Sequence, residues 1–262
     1  MISILGIPLD ENSSFQRGAS KGPSQIIDAY KSDASNTFSE NGLNCGISRL
    51  IKDIGSIQLS KGKAAMTAIQ RAVASELKIR QKVISLGGDH SITFPILQSY
   101  VQYFPDLNIL HFDAHPDLYE NFEDNTYSHA SPFARIMENG LINRLVQVGI
   151  RTLNDEQKAQ VDRYGIEVIE MKDFIPSLSL QFDGPVYISI DLDGLDPAFA
   201  PGVSHQEPGG LSTRELINVI HQMKGQVVGG DIVEYNPDRD INNTTATVSA
   251  KLLKELIGKM LI

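Results

Sequence analysis

The chain has 262 residues, 41% of them hydrophobic, with 23 Lys and Arg against 32 Asp and Glu and a formal net charge of -9 at pH 7. That size suits a single α/β domain spanning residues 1–262, and the acidic balance argues against nucleic acid or an anionic membrane surface as a partner. No apolar run reaches the length of a transmembrane helix, the N-terminal MISILGIPLDENSS lacks a signal-peptide pattern, and the lone Cys45 can close no internal disulfide, so a buried free thiol and a reducing cytoplasm are expected.

In chain order, Ile2 to Ile4 reads as the first strand and Ile54 to Ile57 as the second. Met66, Ile69, Val73 and Leu77 then fall on one helical face. The strand Val83 to Leu86 runs into GGDH, Gly87 to His90, whose glycines permit a tight turn. The strand Leu107 to Phe112 runs into DAHPD, so Asp113, His115 and Asp117 occupy alternate positions and would share one side if the chain stays extended. His111 has the same parity but lies deeper, which suits a core or supporting role.

Further along come strands at Leu145 to Gly149, Ile166 to Ile169 and Val186 to Ile190, the last followed by DLDGLDP, Asp191 to Pro197. His205 lies in the loop PGVSHQEPGG and could line the mouth of a site, while His221 lies in a helical run and is expected at the surface. The strand Val227 to Val233 contains Asp231, expected to support a ligand or a helix end, and leads to EYNP with Glu234. Val248, Leu252, Leu256 and Met260 form a final helical stripe.

Eight short apolar strands alternating with helices predict a three-layer α/β/α sandwich around a mostly parallel, eight-stranded sheet. Ligands of such sheets gather at the carboxyl ends of the strands, where GGDH, DAHPD, DLDGLDP and EYNP all fall. Taken alone, DLDGLDP could be an incomplete calcium loop, and Asp89 of GGDH could simply start a helix. Together they place Asp113, Asp117, Asp191 and Asp193 near His90 and His115. Four converging carboxylates repel unless cations neutralise them, and two divalent ions supply the matching charge. Carboxylate-rich donors with a minority of imidazole suit manganese first, with iron, cobalt or zinc as alternatives. Two bridging Asp, one from each central motif, would place such ions about 3.5 to 4 Å apart, where both polarise one water.

GGDHS, DAHPD, SIDLDGLDP, EPGGLS and EYNP, in this order, together with GIPLDENSSFQRGASKGPSQI, resemble the ureohydrolases, the arginase and agmatinase family, over nearly the whole chain. The resemblance implies the arginase/deacetylase-type fold and two Mn2+ ions per subunit. One would be held by His90, Asp113, Asp117 and Asp191 and the other by Asp113, His115, Asp191 and Asp193. It further implies that Glu234 receives the substrate's guanidinium, a fork of donors that a carboxylate accepts in pairs, and that His129 carries protons near the leaving group. Asp117 or His129 would protonate the departing amine as urea forms. Ala130 follows His129 where agmatinase-like sequences mostly have Gly, a variant that looks like plant-type arginases.

Arginine and agmatine are the leading substrates, with guanidine or a formimino-amino acid such as formimidoylglutamate behind them. The segment YENFEDNTYSHAS lacks the Ser/Asn pattern with which animal-type arginases grip an amino-acid head, and Glu120, Glu123 and Asp124 would repel an α-carboxylate if they face the site. The alternative activity is that of a zinc deacetylase of the same fold. A homo-oligomer, trimer or hexamer, is expected from the resemblance alone.

Overall fold

The structure is a computed structural model that describes residues 1–79 and 81–262. Eight strands, β1 (Ile2–Ile7), β2 (Ile51–Ser56), β3 (Lys82–Gly87), β4 (Asn108–Phe112), β5 (Arg144–Ile150), β6 (Glu167–Glu170), β7 (Gln181–Asp191) and β8 (Lys224–Val233), form one sheet in the order β2-β1-β3-β8-β7-β4-β5-β6. Every neighbouring pair is parallel. The helices are α1 (Gly22–Lys31), α2 (Lys63–Lys78), α3 (Thr93–Tyr100), α4 (Pro132–Glu138), α5 (Asp155–Tyr164), α6 (Thr213–Gln222) and α7 (Thr244–Leu261).

Strand alternation divides the apolar residues between two layers. Ile2, Ile4, Ile84, Leu110 and Ile188 pack with Ile26 of α1, Leu216 of α6 and Leu252 of α7. Leu5, Ile7, Val83, Ile109 and Tyr187 pack on the other face with Ile69 of α2, Ile96 of α3 and Phe133 of α4. The stripe read in α2 does what its spacing implies: Ile69, Val73 and Leu77 are buried, each contributing about 1.5–3 kcal/mol of apolar burial. The α7 stripe likewise faces the core.

Four strands depart from the sequence expectation by three or more residues at one end: β1 runs on to Ile7 rather than Ile4, β8 starts at Lys224 rather than Val227, and β2 and β7 are displaced as well. β2 lies three residues before the expected start at Ile54, because it is an edge strand in which only Ile51 is buried, so no apolar run marks it. β7 begins at Gln181 rather than near Val186, and its early part reaches the sheet through a register irregularity between Gln181 and Pro185.

The sheet order places the site. β3, β8, β7 and β4 are consecutive neighbours at the centre, and they are the strands that precede GGDH, EYNP, DLDGLDP and DAHPD. Since all run the same way, the four motifs emerge side by side at one edge.

Candidate metal centre and active site

Two motif glycines let these turns crowd together. A Cβ on Gly88 would lie 1.9 Å from the Leu9 carbonyl oxygen, and one on Gly194 would lie 2.8 Å from the Asp113 nitrogen. Only glycine admits such an approach. The strand β4, however, ends at Phe112, so the alternating geometry expected for Asp113, His115 and Asp117 does not extend through the motif. Instead the chain turns. The Asp113 carboxylate Oδ1 accepts the His115 N–H at 2.6 Å, and Asp117 takes a left-handed backbone with φ 53°. The three side chains converge because the loop curls.

His90 Nδ1 lies 3.2 Å from Asp113 Oδ2, 3.2 Å from Asp117 Oδ2 and 3.0 Å from Asp191 Oδ2, yet it makes no hydrogen bond. The other side of the ring explains this. Ser189 Oγ donates to Asp231 Oδ1 at 2.6 Å, so its lone pair faces His90 Nε2 at 3.0 Å and the ring proton belongs on Nε2. Asp231 also accepts from Thr93 Oγ1 and Tyr187 Oη, each at 2.9 Å. It thus braces His90 from behind through Ser189. A buried lone pair facing three carboxylate oxygens fits a shared cation rather than a hydrogen bond.

His115 Nδ1 is 3.3 Å from Asp113 Oδ1 and 3.1 Å from Asp193 Oδ2, giving a second grouping beside the first. Asp191 Oδ1 accepts the Asp193 N–H, and Asp193 Oδ1 accepts the Ala114 N–H, so each carboxylate is aimed by backbone. His111 also falls within reach of His90 and Asp113. Its ring is nevertheless spent: Gln147 Nε2 donates to Nδ1 at 3.0 Å and to the Pro116 carbonyl, leaving Nε2–H to donate to Asp113 Oδ2 at 2.9 Å. Burial brings its pKa down to about 4, so it stays neutral.

The electrostatics call for positive charge. Burial, with Asp113 beside it, pushes Asp117 up to about 7, and burial together with Asp193 and Asp113 pushes Asp191 far above the carboxylate range. Burial alone would lower His90 and His115. The adjacent carboxylates overcome it, holding His90 well above its usual value and His115 up to about 12. Crowded carboxylates of this kind need positive charge beside them, and a donor set of two imidazoles and four carboxylates is one that a pair of divalent cations would suit.

Beside this cluster, Glu234 is buried with a left-handed backbone, φ 63°. Both of its hydrogen bonds fall on Oε1, one from the His90 N–H and one from His129 Nδ1, each at 2.9 Å. On the far side of His129, Ser14 presents its N–H at 3.1 Å and its Oγ at 2.8 Å to Nε2. A cavity of about 240 Å³ opens over Asp117, Asp191, Asp193, His129 and Glu234. His205 lines it too, 5.2 Å from the His129 ring, so this loop histidine is part of the mouth.

Other sequence candidates fall elsewhere. Glu123 and Asp124 are exposed and off the cavity wall, and Glu120 turns to Arg163 and Gln160; Tyr119 and Phe122 of that segment are the residues that reach the cavity. His221 is not a free surface side chain, because its Nε2 lies 2.7 Å from the fully buried Glu255 carboxylate. Cys45 is a buried free thiol, as expected. Asp89 does begin the 3-10 turn after GGDH by accepting from Ser91, and it also accepts the Asn12 N–H.

Sequence reading missed Ser14, Asn12, Ser189, Gln147 and Arg151. Asn12 ties three loops together: its amide nitrogen binds Asp89, its side-chain nitrogen binds Ser91, and its carbonyl accepts the His129 N–H. The available signal was weak. Ser189 stands two residues before Asp191 with the same parity, and Arg151 directly follows β5 at the motif-bearing edge.

A family model described as the arginase family matches residues 1–258. The chain is 43% identical over 281 residues to a protein named arginase, mitochondrial, of Medicago truncatula, covering 98% of this chain and 81% of that one. It is 34% identical over 276 residues to agmatinase, mitochondrial, of Gallus gallus, covering 97% and 79%. The solved arginase from Medicago truncatula superposes with a TM-score of 0.94 at 44% identity, over 99% of this chain and 87% of the other. With one parallel α/β sheet, a carboxylate and imidazole centre at its carboxyl edge, and this extent of similarity, the chain belongs to the arginase family, hydrolases that act on guanidino C–N bonds.

Proposed function

We propose that this protein hydrolyses the guanidino group of arginine to urea and ornithine with two manganese ions, held by His90, Asp113, Asp117 and Asp191 and by Asp113, His115, Asp191 and Asp193. The carrying observation is that four of the six donors, His115, Asp117, Asp191 and Asp193, line a cavity that Glu234 also lines, while Asp113 and the orphaned His90 Nδ1 lie buried directly against them. Bound divalent cations would supply Lewis acidity and a water of lowered pKa.

The chain's own residues supply the rest. Glu234 has both protein hydrogen bonds on Oε1, which leaves Oε2 to accept N–H groups of a guanidinium. Asp117 lines the cavity beside His129 and Glu234, where its carboxylate is the group we assign to hand a proton to the departing amine. His129 sits between Glu234 and Ser14, where it can take up a proton at Nε2 from the mouth.

The greater identity to relatives named arginase favours arginine. A specific observation favours agmatine as the second reading: no Lys or Arg lines the cavity among the described residues, so an α-carboxylate would depend on neutral donors such as Ser14, Tyr119 and Gln157. Urea release from arginine, agmatine and guanidine by manganese-loaded protein decides between them. The proposal predicts the highest kcat/KM for arginine; preference for agmatine installs the second reading, and no urea from any guanidino compound overturns both.

A homo-oligomer remains part of the proposal, checked by sedimentation. No helix among the described residues is long and apolar enough to cross a membrane. The buried free thiol supports a cytoplasmic or otherwise reducing compartment. Plant relatives carry mitochondrial in their names, which makes that organelle the competing location, and cell fractionation separates the two.

A further inference from the structure

We propose that Arg151 is a positioning residue that locks the Asp193 side of the metal centre to the rim of the cavity, an inference that rests on the two-cation reading above. The guanidinium donates to backbone carbonyls from three separate segments. Nη1 reaches Gly149 at 3.0 Å and Gly194 at 3.4 Å, Nη2 reaches Asp193 at 2.6 Å and Leu195 at 3.3 Å, and Nε reaches Glu207 at 2.9 Å. No carboxylate forms a salt bridge with it among the described residues, so its charge is spent on peptide dipoles.

Three successive carbonyls, Asp193 to Leu195, turn their negative ends toward one point because the DLDGLDP motif closes in a 3-10 turn. Such converging oxygens repel, and a planar fork of five N–H donors satisfies them where a single ammonium would not. Room for the fork is built in: a Cβ on Gly210 would lie 2.7 Å from Nη2.

The bond to the Asp193 carbonyl fixes the residue whose carboxylate lies 3.1 Å from His115 Nδ1. The bond to the Glu207 carbonyl fixes the loop whose His205 and Glu207 line the cavity. One side chain therefore holds a donor and the rim in register.

Stepwise manganese titration of the metal-free protein by calorimetry, with electron paramagnetic resonance of the loaded forms, tests this. Wild type should bind two ions with the spectrum of a coupled pair. Arg151→Ala and Arg151→Lys should bind the first ion with near-wild-type affinity and the second about 10- to 100-fold more weakly, with the coupled signal lost at limiting manganese. Should the alanine variant fail to fold, the lysine variant carries the test, since it keeps the charge and stem. Folded variants that bind both ions as wild type does, or that weaken both equally while merely melting at lower temperature, overturn the positioning role. Fewer than two ions on wild type overturns the two-cation reading itself, and the inference with it.

Discussion

His129 donates its Nδ1 proton to Glu234 Oε1 at 2.9 Å, and the direction of that bond is set from the opposite side of the ring, where the Ser14 N–H points at Nε2. Glu234 thus stays an anion. Burial would raise its pKa, but the neighbouring His129 holds it below the usual carboxylate value. A buried anion with one oxygen uncommitted and facing the cavity suits a cationic substrate.

Glu234→Gln should separate these roles. The amide keeps the size and an acceptor but removes the charge, so metal content should remain at wild type while kcat/KM falls about 10- to 100-fold, the range for losing a charge-assisted hydrogen bond. Metal analysis and steady-state kinetics on one preparation check it. An unchanged kcat/KM would remove Glu234 from substrate binding, and lost metal would make it part of the centre.

Ser14 offers His129 both hydrogen-bonding senses: its N–H suits a neutral ring, while its Oγ can accept from a protonated one. Although burial would lower the pKa of His129, Glu234, followed by Asp89 and Asp117, raises it to about 9. If protonated His129 serves turnover, activity falls as pH rises through that value. Ser14→Ala removes the acceptor and leaves the amide donor, which disfavours the protonated ring. The alkaline limb of kcat/KM should therefore move to lower pH by about half to one unit. A limb that stays in place would show that His129 does not set it.

Behind the metal centre, Ser189 decides which nitrogen of His90 carries the proton. Ser189→Ala should leave the fold intact and weaken metal affinity about 10- to 100-fold, as loss of an orienting partner does elsewhere. Asp191→Asn, which alters a carboxylate facing His90 and aimed by the Asp193 amide, should abolish metal uptake and activity together. Full metal content in Asp191→Asn would show that this carboxylate does not bridge.

The contrast between what was legible and what was not follows from sequence separation. DAHPD and DLDGLDP could be read because each packs several donors into a few residues, and because a parallel sheet brings strand ends to one edge whatever lies between. The six proposed metal donors meet there. Ser14 and His129, by contrast, are 115 positions apart, and His90 and Ser189 are 99 apart; such contacts leave no local pattern. Edge strand β2 was displaced in the reading because, with one buried residue, it has almost no hydrophobic signal. His221 looked like an ordinary helix surface residue because nothing near it in sequence shows that α7 brings a buried carboxylate against it.

That carboxylate supports a last prediction, on stability. Glu255 is fully buried and accepts from His221, from Lys251 and from the Glu40 N–H, which ties the segment around Glu40 to α7. Glu40 itself is more exposed, paired with Arg214 at 2.6 Å and Lys251 at 3.1 Å, and the Arg214 guanidinium brings its pKa down to about 2. A carboxylate whose folded pKa is depressed stabilises the fold above its unfolded value and loses that contribution as pH falls toward the folded one. Glu40→Gln should thus lower Tm by about 1–3 °C at pH 7, as an exposed pair of this kind allows, with the difference from wild type shrinking as pH drops from about 4.5 toward 3. Glu255→Ala should cost far more, about 3–5 kcal/mol, because it strands Lys251 and His221 beside an empty buried space. Thermal melts of both variants across pH check the pair, and equal losses in the two would refute the assignment of the buried carboxylate as the anchor.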